Sequence, residues 1–299
     1  MSNLLHVGLD VGSTTVKIVV MDDKLNTIYR DYQRHFSDTK NTVCNVLEGL
    51  AEKYPDSEFT IALTGSGAMS AAKFLDLPFI QEVVSCKRAV EKYIPKTDVV
   101  IELGGEDAKI IYFDKSIEQR MNGSCAGGTG AFIDQMASLL NTDPTGLNEL
   151  AKNYQTIYPI ASRCGVFAKT DVQPLLNEGA AKEDIAVSIF QAVVNQTISG
   201  LACGRPIRGN VAFLGGPLNY LSELRKRFIE TLQLTPDEVI VPEEAHLLVA
   251  KGAALDSIEE AKPITVEKLR SKIGVLKVSH DDTSNPLAPL FSIEADYEE

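Results

Sequence analysis

Residues 6–20 (HVGLDVGSTTVKIVV) and 99–113 (VVIELGGEDAKIIYF) are two β-branched stretches, each cut by a short polar turn that carries glycine. Offset by 92 positions they coincide: Asp10 falls on Glu102, Gly12 on Gly104, Lys17 on Lys109, Ile18 on Ile110 and Asp22 on Asp114. Branched side chains suit a pleated strand, and small or polar residues suit a tight turn, so each stretch predicts a β-hairpin. A chain that heads each half with the same carboxylate–x–Gly–turn–Lys hairpin is directed toward two similar α/β lobes. A ligand cleft is expected between them. The length of 299 residues also suits two lobes better than one core.

The remaining segments alternate between helix and strand. Helical spacing runs over 42–54 (Val43, Val46, Leu47, Leu50), a short strand over 59–63 ends in Thr64-Gly65-Ser66-Gly67, and 86–93 reads as helix. After the second hairpin come a strand near 117–121, a glycine-rich stretch over 122–130 and a helix over 131–140. Helical patterns then cover 146–154, 165–177 and 183–203; strands over 211–214 and 238–241 and a helix over 245–258 follow. The expected division is a first lobe over 1–96, completed by a helix over 245–260, and a second lobe over 97–244. Residues 261–299 read as an acidic tail or linker, because the last nineteen hold six acidic side chains, no Lys or Arg, and Pro286 and Pro289.

Composition removes several function classes. A net charge of -12 argues against nucleic acid as a partner, since phosphate backbones are bound by clustered Lys and Arg. No apolar run approaches the ~20 residues of a membrane span and no leader opens the chain, so a cytoplasmic protein with no membrane association is expected. Five cysteines, an odd number, fit thiols or metal ligands better than a disulfide framework. Cys44, Cys86 and Cys203 fall on helical patterns with apolar neighbours and read as core residues.

The chemistry concentrates at the turns. In Asp10-Val-Gly12-Ser13-Thr14-Thr15, backbone N–H groups and hydroxyls can wrap a polyphosphate while the carboxylate addresses a metal or water. In the second copy, Glu102, Glu106 and Asp107 stand around Gly104 and Gly105, and three acids so close call for a cation such as Mg2+. Neither G-x-x-x-x-G-K-[ST] nor a helix-opening G-x-G-x-x-G after the first strand occurs, which lowers the P-loop and Rossmann readings. Lys17 and Lys109 read as solvated strand residues. Phe213-Leu-Gly215-Gly216-Pro217 is a strand entering a turn that a flat ring or sugar can approach. Cys125, in Asn-Gly-Ser-Cys-Ala-Gly-Gly128-Thr-Gly, and Cys164, in Arg-Cys-Gly-Val-Phe-Ala, both precede a predicted helix. A helix N-terminus favours thiolate, which suits either a reactive thiol or ligation of an iron-sulfur cluster.

The order of turn, second turn, strand-Gly-Gly and Ala-rich helix resembles the actin, sugar-kinase and heat-shock-chaperone ATPase superfold. That implies an α/β fold of two ribonuclease-H-like lobes with an inter-lobe nucleotide cleft. Within it, residues 5–258 resemble the ATP-dependent activators of 2-hydroxyacyl-CoA dehydratases and the ATP-binding subunits of benzoyl-CoA reductases. Asn-Gly-x-Cys-Ala-x-Gly-Thr-Gly, Arg-Cys-x-Val-Phe-Ala and Asp-x-Gly-Ser-Thr-Thr carry the likeness. The resemblance implies ATP/ADP with Mg2+, phosphates on residues 12–15 and 104–105, and Asp10 and Glu102 beside the metal or attacking water, with Glu106 and Asp107 near. It further implies a homodimer whose Cys125 and Cys164 pairs hold one 4Fe-4S cluster. Electrons would pass to a partner dehydratase or reductase. Glu102 for the usual Asp, Glu106 for Gln, and Gly-Gly-Pro depart from the common pattern and resemble long fused members, in which dehydratase-like segments follow. A sugar or N-acetyl-sugar kinase of the same superfold, or a non-enzymatic nucleotide-dependent module, are the alternatives.

Overall fold

The computed structural model describes residues 3–113, 117–122, 127–161 and 165–279. In the first half, β1 (Asn3–Val11), β2 (Thr15–Met21) and β3 (Thr27–Arg34) precede α1 (Thr39–Lys53), β4 (Ser57–Thr64), α2 (Ala68–Leu75) and α3 (Glu82–Tyr93). In the second, β5 (Val99–Leu103), β6 (Ala108–Phe113) and β7 (Ile117–Met121) precede α4 (Gly130–Leu139), α5 (Pro144–Ala151), α6 (Gly165–Asn177) and α7 (Lys182–Thr197). Then come β8 (Val211–Leu214), α8 (Gly216–Tyr220), α9 (Ser222–Leu232), β9 (Val239–Ile240), α10 (Leu248–Glu260), β10 (Ile264–Thr265) and α11 (Val266–Val278).

The two sheets repeat one topology. Their orders are β10-β4-β1-β2-β3 and β7-β6-β5-β8-β9. In each, an antiparallel hairpin extends to a third antiparallel strand, and a later strand joins the other side of the hairpin in parallel. The hairpin registers match as well: Asp10 stands opposite Lys17, and Glu102 opposite Lys109. The sequence repeat is therefore a structural repeat.

Burial explains the helices. In α1 the residues Val43, Cys44, Val46, Leu47, Leu50 and Ala51 form one buried stripe, and the Asp38 carboxylate caps its start by accepting from Asn41 N. The seam between the sheets is made by α3 and α10. On one side α10 lies so close to β1 that a Cβ on Gly8 would stand 2.0 Å from the Ala250 carbonyl oxygen. On the other, Leu248 and Val249 cluster with Val100, Ile111 and Ala212 of the second sheet. Residues 182–202 form a continuous helical run long and apolar enough for a bilayer, yet 67% of its most apolar window is buried, so its apolar residues are those of a lobe core.

Several expectations change. The segment from residue 261 is not a solvated linker throughout: β10 pairs with β4, and α11 buries Val266, Leu269, Ile273 and Leu276 in the first lobe's core. Its apolar residues are diluted by Lys and Glu, which hid them in the composition; residues 280–299 lie outside the described residues. Cys203 is exposed in a left-handed turn (φ 45°) rather than buried, because the helical run ends at Ala202. Strand β3 and helices α2 and α9 were not expected. Strand β3, TIYRDYQR, is an edge whose polar residues reflect exposure.

Candidate active site

The two hairpin turns meet in the middle of the molecule. A Cβ on Gly105 would stand 2.1 Å from Thr14 Oγ1, so the absence of a side chain there lets the turns touch. Gly12 N donates to Thr15 O at 2.9 Å and Gly104 N to Asp107 O at 2.7 Å, closing both turns in the same way. Around this contact opens a cavity of about 360 Å³. Its walls include Thr14, Thr15, Gly104, Gly105, Gly216 and Pro217, six of the residues singled out in the sequence.

Asp10 and Glu102 lie buried behind the turns, 1% and 5% exposed. Lys17 Nζ donates to Asp10 Oδ2 at 2.7 Å, leaving Asp10 Oδ1 buried with no partner among the described residues; Glu102 Oε2 is likewise orphaned among them. A Cβ on Gly65 would stand 2.6 Å from that free Asp10 oxygen, so the turn after β4 is shaped around it. Buried carboxylate oxygens without a donor are costly unless a cation or water serves them. These two therefore fit a hard cation, for which oxygen ligands are suited.

Neither lysine is solvated as expected: Lys109 is buried and Lys17 half-buried. Burial opposes the Lys17 charge, but Asp10 and, further off, Glu102 outweigh it and raise the ammonium's pKa. Lys109 does not turn to Glu102: its Nζ donates to Glu82 Oε1, on α3, at 2.6 Å. Burial and then the charge of Glu102 push the Glu82 carboxyl up to about 7, against the pull of Lys109.

Other expected residues sit apart from the cavity wall. Gly12 and Ser13 shape the first turn, Glu106 is exposed and Asp107 half-buried in the second, and Gly215 (φ 86°) lies under the Leu103 carbonyl. Gly128 (φ 82°) is buried against Gln196. Cys125 and Cys164 lie outside the described residues. The helices that come after them, α4 and α6, pack together at their starts, where a Cβ on Gly165 would contact Gln135 and Phe132. Among the described residues, no group of three or more His, Cys, Asp or Glu side chains is arranged to hold a metal ion.

Tyr32, Arg34, Asp134, Asp143, Pro144, Thr145 and Tyr220 also line the cavity. Only strand pairing brings Tyr32 and Arg34 there, opposite Lys17 and Thr15. His35, 6% exposed, supports the first turn. Its backbone N–H donates to Thr14 O at 3.1 Å, and its Nδ1 accepts from Ser37 N at 3.1 Å. With Nδ1 accepting, Nε2 carries the proton toward Gly12 O at 3.2 Å.

Two ribonuclease-H-like lobes facing across a cleft, with paired turns at its base, define the α/β fold of the actin and sugar-kinase ATPase superfold. The BadF/BadG/BcrA/BcrD ATPase family model matches residues 7–257, and the chain belongs to that family. It is similar to the 2-hydroxyisocaproyl-CoA dehydratase activator of Clostridioides difficile, 32% identical over 264 residues that cover 86% of this chain and 96% of the relative. The (R)-2-hydroxyglutaryl-CoA dehydratase activating ATPase of Acidaminococcus fermentans is 32% identical over 220 residues, covering 72% and 83%. A solved structure of the Clostridium difficile activator with bound ADPNP superimposes with a TM-score of 0.74 at 28% identity, over 90% of this chain and 97% of that one.

Proposed function

We infer that this protein hydrolyses Mg-ATP in the inter-lobe cleft and uses the lobe movement to drive a low-potential electron into a partner 2-hydroxyacyl-CoA dehydratase-like or acyl-CoA reductase-like protein. The observation that carries the reading is the pair of buried, partnerless carboxylate oxygens, Asp10 Oδ1 and Glu102 Oε2, behind two touching turns. The named activities of the relatives and the nucleotide in the solved activator support it.

Phosphoryl transfer to water needs positioning and charge neutralisation more than covalent help. Thr14, Thr15, Gly104 and Gly105 bind the phosphates, and Gly216 and Pro217 receive the nucleoside. Asp10 and Glu102 would hold Mg2+ and orient the attacking water. The water oxygen bonds to the terminal phosphorus as the bond to the bridging oxygen breaks, the electron pair leaving on ADP and the water's proton passing to the released phosphate or solvent. Lys17 fixes the Asp10 carboxylate by its Oδ2 so that Oδ1 points to this task. Mg2+ supplies neutralisation of the phosphate charge.

Cys125 and Cys164 from two subunits are the ligands for one 4Fe-4S cluster, since one chain's pair cannot complete a four-thiolate shell and a two-fold axis doubles it. When bound, the cluster supplies the transferable electron. Val166 and Phe167, 68% and 64% exposed one and two residues past Gly165, provide apolar surface for that subunit contact. The protein acts in the cytoplasm.

Anaerobic preparation tests the reading. The expected result is a brown dimer with about four irons, hydrolysing ATP, with iron lost on Cys125→Ser or Cys164→Ser while nucleotide binding persists. A colourless protein whose ATP turnover requires a sugar would make it a kinase instead.

A further inference from the structure

Strand pairing sets one cation apart from the rest of the cleft. Thr15 stands opposite Arg34 and Lys17 opposite Tyr32 across the β2–β3 ladder. Directly opposed residues project to one side of a sheet, and the two-residue period keeps all four there, lining the cavity. Among the described lining residues, Lys17 and Arg34 are the basic ones. Lys17 is held at Asp10. Arg34 crosses the cleft instead: its Nη2 donates to Asp134 Oδ2, on α4, at 2.6 Å, with side chains 49% and 34% exposed.

An ion pair this open to water is weakly held, because solvent screens both charges. A terminal phosphate presents several charged oxygens at once and can take a guanidinium in a two-pronged bond. We propose that Asp134 and the terminal phosphate of a bound nucleoside triphosphate compete for Arg34, which makes Arg34 the residue that distinguishes triphosphate from diphosphate. The proposal rests on the nucleotide reading of the cleft. Thr15, on the turn assigned to the phosphates, is the direct cross-strand neighbour of Arg34, so the guanidinium starts within reach of that turn.

The exchange has a structural consequence on the far side. The first two N–H groups of α4 are fastened to the second turn, Gly130 N donating to Gly104 O at 3.0 Å and Ala131 N to Gly105 O at 2.7 Å. The Asp134 carboxylate is the same helix's tie to the first lobe. When phosphate takes Arg34, α4 keeps its hold on the second turn and gives up this ion pair to the first lobe. Hydrolysis and phosphate loss return Arg34 to Asp134.

Titration calorimetry with a non-hydrolysable Mg-ATP analogue and with Mg-ADP, on the whole chain, separates competition from a passive strap. Arg34→Gln is expected to weaken the triphosphate about tenfold and the diphosphate much less. Asp134→Asn, by freeing the guanidinium, is expected to tighten the triphosphate about threefold, and the double variant to behave like Arg34→Gln. Variants that shift affinity in the same direction, or alter triphosphate and diphosphate equally, would overturn the competition. Failure of the unaltered protein to bind either nucleotide would sink the cleft reading itself, and this inference with it.

Discussion

The two hairpins share their sequence plan and backbone register, but their buried charges are arranged differently. In the first, the lysine turns back to its own carboxylate, Lys17 to Asp10 at 2.7 Å. In the second, Lys109 turns outward to Glu82 at the start of α3, and Glu102 is left with a buried oxygen unserved. One repeat thus yields a tethered carboxylate in one lobe, and in the other a lysine that ties the lobe to the seam helix. The difference teaches that duplication copies local geometry while the neighbours that each copy meets decide its chemistry.

The lobes also differ in how their cores are closed, and the largest effect is expected there. Ending the chain after Pro263 removes four buried apolar side chains, Val266, Leu269, Ile273 and Leu276. At ~1.5–3 kcal/mol each that is roughly 6 kcal/mol or more, comparable with the whole stability of many domains. Thermal unfolding should then show the first lobe melting well before the second. A truncated chain that melts with the full-length protein would erase this contrast between the lobes.

The lysines give the next test. Lys109→Met leaves Glu82 without its partner and should cost about 3–5 kcal/mol in urea unfolding. Lys17→Met strips Asp10, the more buried carboxylate, of its partner in the same way and should cost stability too, and it should in addition slow ATP turnover by loosening Asp10. ATP turnover lowered equally by both variants would show that the two lysines are equivalent after all. At the carboxylates, Asp10→Asn should slow ATP hydrolysis about 10²-fold or more with the melting point little changed. Glu102→Gln should do so as well, and unchanged turnover would remove that carboxylate from the mechanism.

The smallest effect concerns the junction of the lobes. His246 packs against Tyr32 of the first lobe at 5.3 Å and Tyr220 of the second at 5.1 Å between ring centroids. Burial, then the charge of Lys17, lowers its pKa from 6.5 to about 4. The folded protein therefore disfavours a proton that the unfolded chain takes up near pH 6.5. Its contribution to stability is present above that pH and is lost as pH falls toward 4. Urea midpoints measured between pH 7 and 5 should decline more steeply for the wild type than for His246→Gln; equal slopes would mean that the ring titrates freely.

Much of this was legible in the chain itself. Although Lys17 and Lys109 read as solvated, the hairpins, the carboxylates at their turns and the apolar stripe of α1 follow from periodicity and turn chemistry, which act over a few residues. The family motifs around Asp10 pointed to the nucleotide cleft for the same reason. The edge strand β3 was hidden because a strand exposed along much of its length carries no strong apolar alternation, and with it went Tyr32 and Arg34 as cleft residues. Helix α11 was hidden because its buried residues are spaced among lysines in a stretch whose composition reads as solvent-facing. Partners such as Glu82 for Lys109, 27 residues away, and Asp134 for Arg34, 100 residues away, were settled only by folding. A charge can be placed on a strand by local rules, but the neighbour that satisfies it in a buried site comes from elements far off along the chain. Their approach is set by packing against the seam, and only the tertiary structure decides it.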